Sequence, residues 1–343
     1  MKTKTIGIVA SELPEYLDPD SIYSGMGGAE EAVIYVSKEL AARGYRVIVY
    51  GNPKPDSIHS LSIANPRFLD ISRFKEEKLD IGIAKCLPRL GPELRKIASK
   101  VYLWTHGYNM NLAQEHIDSY DGVLWLSQWQ RDCFVRSNPS FERFKTIFGN
   151  GIDPAQFPPI TERKNPYSCI YATSYARGLE VLLNQWPEIK NKFPRATLDV
   201  YYGWSGVSSD IQKELIEKLS ALQELDVFEH GQVGHEELNQ AYSRASFWVF
   251  PSSREPETFC ISALRAQYAG AVPIVHCWGA LNETARYGCR CFRLERFSVA
   301  IVKALENAEN ITLEERKQMR GFINEQFTWK VVVDRWLEHF VST

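Results

Sequence analysis

Short runs that are β-branched or aromatic and apolar on consecutive positions recur along this chain with amphipathic segments between them, and that alternation leaves few folds open. In the first half the runs are TIGIVA (5–10), RVIVYG (46–51), DIGIAK (80–85), VYLWTH (101–106), GVLWLS (122–127) and KTIFGN (145–150). In the second half they are SCIYATS (168–174), TLDVYYG (197–203), VFEHG (227–231), FWVFPS (247–252) and VPIVH (272–276). A strand with one face in water alternates apolar and polar residues; a strand covered by helices on both faces does not. Helical spacing fills the intervals. Ala29, Ala32, Val33, Val36 and Leu40 share one stripe, closed by Gly44. Further helices are expected near 178–193, 208–224, 235–245, 259–269, 295–309 and 312–325. The segment GIDPAQFPPITERKNPY (151–167) has four prolines and no periodicity, and reads as a linker. The expectation is an α/β protein of two doubly wound, Rossmann-like domains, 1–155 and 165–325, followed by an amphipathic helix over 326–343. A chain of 343 residues suits two cores better than one.

Composition excludes several classes. Net charge is −2, so no global attraction to nucleic acid follows. No stretch approaches the ~18 continuous apolar residues of a membrane helix, and Ile6–Ala10 is too short for the apolar region of a signal peptide. Seven cysteines with no C-x-x-C pair point to reduced thiols in a cytoplasmic protein. Cys289 and Cys291 stand too close for ordinary zinc spacing, and read as residues of one strand. LPRLGPELRKIASK (87–100) sets Arg89, Arg95, Lys96 and Lys100 against one glutamate. It reads as a solvated helix face, with peripheral contact to an anionic membrane as the alternative.

In doubly wound sheets ligands bind beyond the carboxyl ends of the strands, so the loops after strands carry the chemistry. The loop after the first strand (11–32) is long and ends in Gly25, Gly27 and Gly28 where a helix begins. Glycines there let backbone N–H groups approach a phosphate, or simply punctuate a loop; the spacing departs from a dinucleotide fingerprint. His106 and His230 each end a strand, although most lone histidines are not catalytic. Arg177 precedes a helix, where a cation opposes the helix dipole unless an anion shares the site. Glu257 and Thr258 come just before a helix expected to begin near Phe259. They either complement that helix end or flank a site in which the N–H groups of Phe259, Cys260 and Ile261 take an anion.

The segments GGAEEAVIYVSKELAARGYRVIVYG, NGID, RGLEVLLNQWPEI, HGQVGHEELNQAYSRASFWVFPS and ETFCISALRAQYAGAVPIV together resemble, in order, the retaining glycosyltransferases of family 4, also called glycosyl transferases group 1. The resemblance implies the GT-B fold: two Rossmann-like domains facing a cleft, with the C-terminal helix packing back toward the first. It implies transfer of a sugar from a nucleotide-diphosphate donor to a glycan, lipid-linked or protein acceptor hydroxyl, with retention of configuration and without a metal or other cofactor. By position, Gly27 and Gly28 match the loop near the donor phosphates and acceptor, and His106 matches a histidine beside the transferred sugar. Arg177 stands where the family has a lysine gripping the diphosphate. Glu257 matches the first glutamate of the Glu-x7-Glu motif, which contacts the donor sugar, and Phe259, Cys260 and Ile261 match the backbone donors.

Two positions depart from that pattern. The second glutamate, which holds the nucleotide ribose, is replaced by Arg265, and the arginine that precedes the phosphate lysine is missing near Ala172 and Thr173. Eight residues after Glu257, Arg265 is expected on the same side of the helix, facing the nucleotide. An arginine can donate to ribose hydroxyls but not accept from them, which predicts weak discrimination between ribose and deoxyribose donors. A catalytically weak or inactive nucleotide-sugar-binding protein is the alternative function. A nucleotide-sugar epimerase on the same fold is disfavoured by the motif order.

Overall fold

The computed structural model describes residues 3–10, 16–204 and 207–342; the opening of the first long loop, 11–15, lies outside them. The chain divides into two compact units, the first comprising Met1–Ile22, Met26–Gly151 and Phe327–Thr343, the second Tyr23–Gly25 and Ile152–Gln326. Unit 1 contains the strands β1 (Thr5–Ala10), β2 (Arg46–Gly51), β3 (Arg67–Asp70), β4 (Leu79–Lys85), β5 (Ala98–Trp104) and β6 (Gly122–Val123). Unit 2 contains β7 (Ser168–Ala172), β8 (Thr197–Tyr201), β9 (Val227–Gly231), β10 (Phe247–Phe250), β11 (Val272–His276) and β12 (Cys289–Cys291). The helices of unit 1 are α1 (Gly28–Ala42), α2 (Gly91–Arg95), α3 (Gln114–Asp118) and α4 (Gln128–Ser137). Unit 2 adds α5 (Leu179–Lys192), α6 (Ser209–Ala221), α7 (His235–Arg244), α8 (Ile261–Ala269), α9 (Leu281–Thr284), α10 (Phe297–Glu306) and α11 (Leu313–Gln326). The last helix, α12 (Trp329–Ser342), belongs to unit 1.

Each unit is built on a six-stranded sheet, ordered β3-β2-β1-β4-β5-β6 in unit 1 and β12-β11-β10-β7-β8-β9 in unit 2. Every strand pairing is parallel, as the uninterrupted apolar runs require. Both sheets are doubly wound. Their strand order reverses between β1 and β4 in unit 1 and between β7 and β10 in unit 2. A crevice opens at such a reversal because the two connections leave toward opposite faces of the sheet.

Three elements differ from the sequence reading. KTIFGN is not a strand: only Ile147 bridges, to Trp125. GVLWLS pairs with β5 at Gly122 and Val123 alone. Leu124, Trp125 and Leu126 are nonetheless buried, and the Trp125 indole N–H donates to the carbonyl of Phe144 at 2.8 Å. Burial on all sides produces the same apolar run whether or not a ladder forms. The edge strand β3 was not expected, because Phe68 and Leu69 are the only apolar residues in its four.

On α12, Trp329, Val332, Val333, Trp336 and Phe340 are all buried. Trp336 meets Trp104 edge-on at 4.8 Å, Phe340 lies 4.5 Å from Tyr102, and Trp329 stacks on Tyr35 at 6.1 Å. Asp334 pairs with Arg43, which follows α1. The helix thus completes the core of unit 1. Replacing Trp336 by alanine is expected to cost about 3–5 kcal/mol of unfolding free energy, against a near-neutral change for the exposed Glu338→Ala. Denaturant unfolding of both variants checks this; equal losses would remove α12 from the core.

Candidate active site

The reversal in unit 2 puts two loops side by side, 173–178 after β7 and 251–260 after β10. Each contributes one partner of an ion pair. Arg177 ends a short 3-10 turn, and its Nη1 lies 2.9 Å from Glu257 Oε1; the side chains are 30% and 10% exposed. Nη2 donates to the Glu255 carbonyl at 3.2 Å, while Nε is buried without a hydrogen-bond partner. Burial pushes the Glu257 carboxyl above its ordinary range, and Arg177 works against that rise. The anion expected to share a site with Arg177 is therefore, in this structure, Glu257.

Backbone approach makes the pairing feasible. Gly178 has φ of +123°, and a Cβ there would fall 2.2 Å from the Pro251 carbonyl, so the two loops cross at a point open only to glycine. On the far side Glu257 forms an isolated bridge with Gly279; its carbonyl accepts from Ala280 N–H at 2.7 Å. Glu257 is thereby held by backbone on one side and charge on the other.

The helix that follows starts at Ile261, not Phe259. Cys260 occupies the N-cap with φ of +71°, and makes no side-chain cap bond. Glu257 consequently does not cap α8, and Phe259 is a buried anchor. The first turn of α8 contains no acidic residue, so its positive end is left uncomplemented by its own sequence. Burial raises the Cys260 thiol well above its usual pKa, keeping it neutral there. Thr258 lies between the Glu257 bridge and this helix start. Within the same loop, Ser252 is fully buried with an unpartnered hydroxyl, and its carbonyl lies 2.6 Å from His276 Nδ1.

Arg265 and His230 stand elsewhere in unit 2. Arg265 is 4% exposed, with Nη1 donating to Asn239 Oδ1 at 2.6 Å and Nη2 3.3 Å from His235 Nδ1. Its guanidinium is engaged by α7. His230 lies on the edge strand β9, 2.7 Å from Asp199 Oδ1 and stacked on Tyr201 at 4.4 Å. Its neighbour Glu229 points to the opposite face and accepts from the Tyr175 hydroxyl at 2.7 Å, in the same turn as Arg177.

In unit 1, Gly27 caps α1 in an extended conformation and Gly28 opens it. Glu30 and Glu31 occupy the first turn and already complement that helix end. His106 follows β5. Burial, with the nearby Lys85 second, holds its pKa well below the ordinary value, so the ring is neutral at neutral pH. Lys85 itself was not singled out by sequence. It ends β4 at the reversal, is 3% exposed, and lies over the Trp104 ring at 5.7 Å. Its signal was a lysine closing an otherwise apolar strand. The basic side chains of 87–100 are largely occupied: Arg95 by Asp121, Lys96 by Glu93, and Lys100 by the Phe340 carbonyl.

Residues 168–308 match the family model for glycosyl transferases group 1, a span that includes Arg177, Glu257 and Arg265. No curated protein matches the chain significantly. Among solved structures, the chain is similar to sucrose-phosphate synthase from Thermosynechococcus elongatus, with TM-score 0.75 and 16% identity over 99% of this chain and 100% of that one. It is also similar to Anabaena HepE in complex with UDP, with TM-score 0.76 and 13% identity over 99% of this chain and 100% of that one. The catalytic domain of Starch Synthase IV from Arabidopsis thaliana, bound to ADP and acarbose, gives TM-score 0.71 and 12% identity over 100% and 99%. The fold is GT-B.

Replacing Arg177 by methionine removes the cation that restrains the Glu257 pKa. An acid whose folded pKa lies above its unfolded value binds more protons when folded, so its contribution to stability falls as pH rises through that interval. The Arg177→Met protein should lose stability relative to wild type progressively above the ordinary glutamate value of 4.5, by about 1–3 kcal/mol near neutrality. Adding Glu257→Gln should abolish the pH dependence. Equilibrium unfolding across pH measures it; a deficit independent of pH would mean the pair is not coupled through charge.

Proposed function

We propose that this protein is a metal-independent retaining glycosyltransferase that moves a sugar from a nucleotide-diphosphate donor to an acceptor hydroxyl on a glycan, lipid or protein. The observation that carries the reading is the switch point of unit 2, where Arg177, its side chain still 30% exposed, stands beside a loop leading into a helix end that lacks its own acid. As the bond between sugar and diphosphate breaks, negative charge builds on the leaving group. A fixed guanidinium and oriented N–H groups stabilise that charge without reorganising.

Glu257 is the group proposed to hold the donor sugar. Its carboxylate shares one oxygen with Arg177, leaving the other to accept from a sugar hydroxyl. His106, neutral by burial, is proposed to contact the transferred sugar as a hydrogen-bonding ring rather than a cation. Thr258, Phe259, Cys260 and Ile261 are proposed to line the donor, with Gly27 and Gly28 on the acceptor side and His230 as an outer donor contact. The second reading, a nucleotide-sugar-binding protein with weak catalysis, draws on the engagement of Arg265 by Asn239 and His235, because that guanidinium is then already committed when a ribose arrives.

Acceptor-dependent release of nucleoside diphosphate separates the two. Glu257→Gln should lower transfer at least tenfold, about 1.4 kcal/mol of transition-state binding, while the protein remains folded. A fully active Glu257→Gln protein would overturn the assignment, and binding without turnover by wild type would favour the second reading.

A further inference from the structure

The loop after β1 and the connection between β2 and β3 bring together a group of side chains outside the proposed transfer site. Asp18 is fully buried. Its Oδ1 accepts the Asp20 N–H at 3.1 Å, while its Oδ2 is buried with no hydrogen-bond partner among the described residues. Asp20 Oδ1 lies 3.3 Å from His59 Nε2. One ligand atom each from Asp18, Asp20 and His59 falls within 4.8 Å of the others.

That arrangement is unfavourable as it stands. A desolvated carboxylate oxygen without a donor carries its full desolvation penalty, and the second carboxylate adds repulsion. Among the described residues no lysine or arginine pairs with either aspartate; the one cation-capable neighbour is the His59 ring. Both contributing segments are fixed. Asp18 and Asp20 flank the start of the 3-10 turn Pro19–Tyr23, and the Leu17 N–H donates to the Asn52 carbonyl at 2.7 Å. His59 sits in the turn Ile58–Ser60, where Ser57 Oγ accepts its N–H at 3.2 Å. Its ring packs edge-on against Phe68 at 6.4 Å.

We propose that Asp18, Asp20 and His59 bind a divalent transition-metal ion, zinc or manganese, which ties the β1–α1 loop to the β2–β3 connection of unit 1. An imidazole with two carboxylates is a donor set for first-row metals rather than for magnesium or calcium, which take oxygen ligands alone. The ion neutralises both aspartates and satisfies the orphaned oxygen. Its place is structural, and the inference is independent of the transferase reading.

The test is calorimetric titration of zinc and of manganese into the metal-stripped full chain, with magnesium as control, repeated on Asp18→Asn and His59→Gln. Wild type should take up zinc or manganese and gain thermal stability with it, whereas each variant should bind at least ~tenfold more weakly and gain little. His59 is partly exposed, so His59→Gln decides the matter should Asp18→Asn fail to fold. Affinity unchanged in His59→Gln would assign the ion to other ligands, such as the cysteines, and overturn the proposal, as would a wild-type chain that binds neither metal.

Discussion

The ion pair between Arg177 and Glu257 is the contact on which the organisation of unit 2 turns. Each charge comes from a different loop of the strand-order reversal, and each would be costly to bury alone. The fold offers no way to separate them cheaply, since Gly178 lies against the Pro251 backbone and Gly279 against that of Glu257. If the proposed donor site is right, an arriving diphosphate would share Arg177 with Glu257. A guanidinium can do this, because its five donors are spread over a rigid fork and the side chain is 30% exposed.

The two helices that begin nearest the reversals are treated differently by the sequence. In α1 the first turn holds Glu30 and Glu31, so a phosphate arriving there would meet two carboxylates. In α8 the first turn holds no acid. Helix-dipole arguments therefore favour the donor diphosphate at α8 and a neutral hydroxyl at α1. This asymmetry comes from side-chain charge alone, and it agrees with the cation placement: Arg177 belongs to unit 2.

The doubly wound plan was legible because strands buried on both faces cannot alternate. The same logic misread KTIFGN, in which Phe148, Gly149 and Asn150 are buried without joining a strand, and passed over β3, whose four residues hold too few apolar positions to register. Among the site residues, Arg177 and Glu257 were each identifiable from placement before a helix, but their pairing was not, since it depends on which strands neighbour in the sheet. Arg265 shows a sharper limit. The count of eight from Glu257 took the helix to start near Phe259, whereas it starts at Ile261 and Cys260 before it is left-handed. The phase is reset at Ile261, and Arg265 ends against α7. Lys85 was visible only as a polar residue at a strand end; its burial and proximity to His106 are products of packing.

The central claim is that Arg177 is the cation of a diphosphate site. Calorimetric titration of uridine, guanosine, adenosine and thymidine diphosphates into wild type and Arg177→Met tests it most directly, at a pH where both are folded. The account predicts that wild type binds at least one of them and that the methionine variant binds it at least ~tenfold more weakly, a loss of about 1.4 kcal/mol. Equal affinity in the two proteins would place the diphosphate elsewhere and contradict the account.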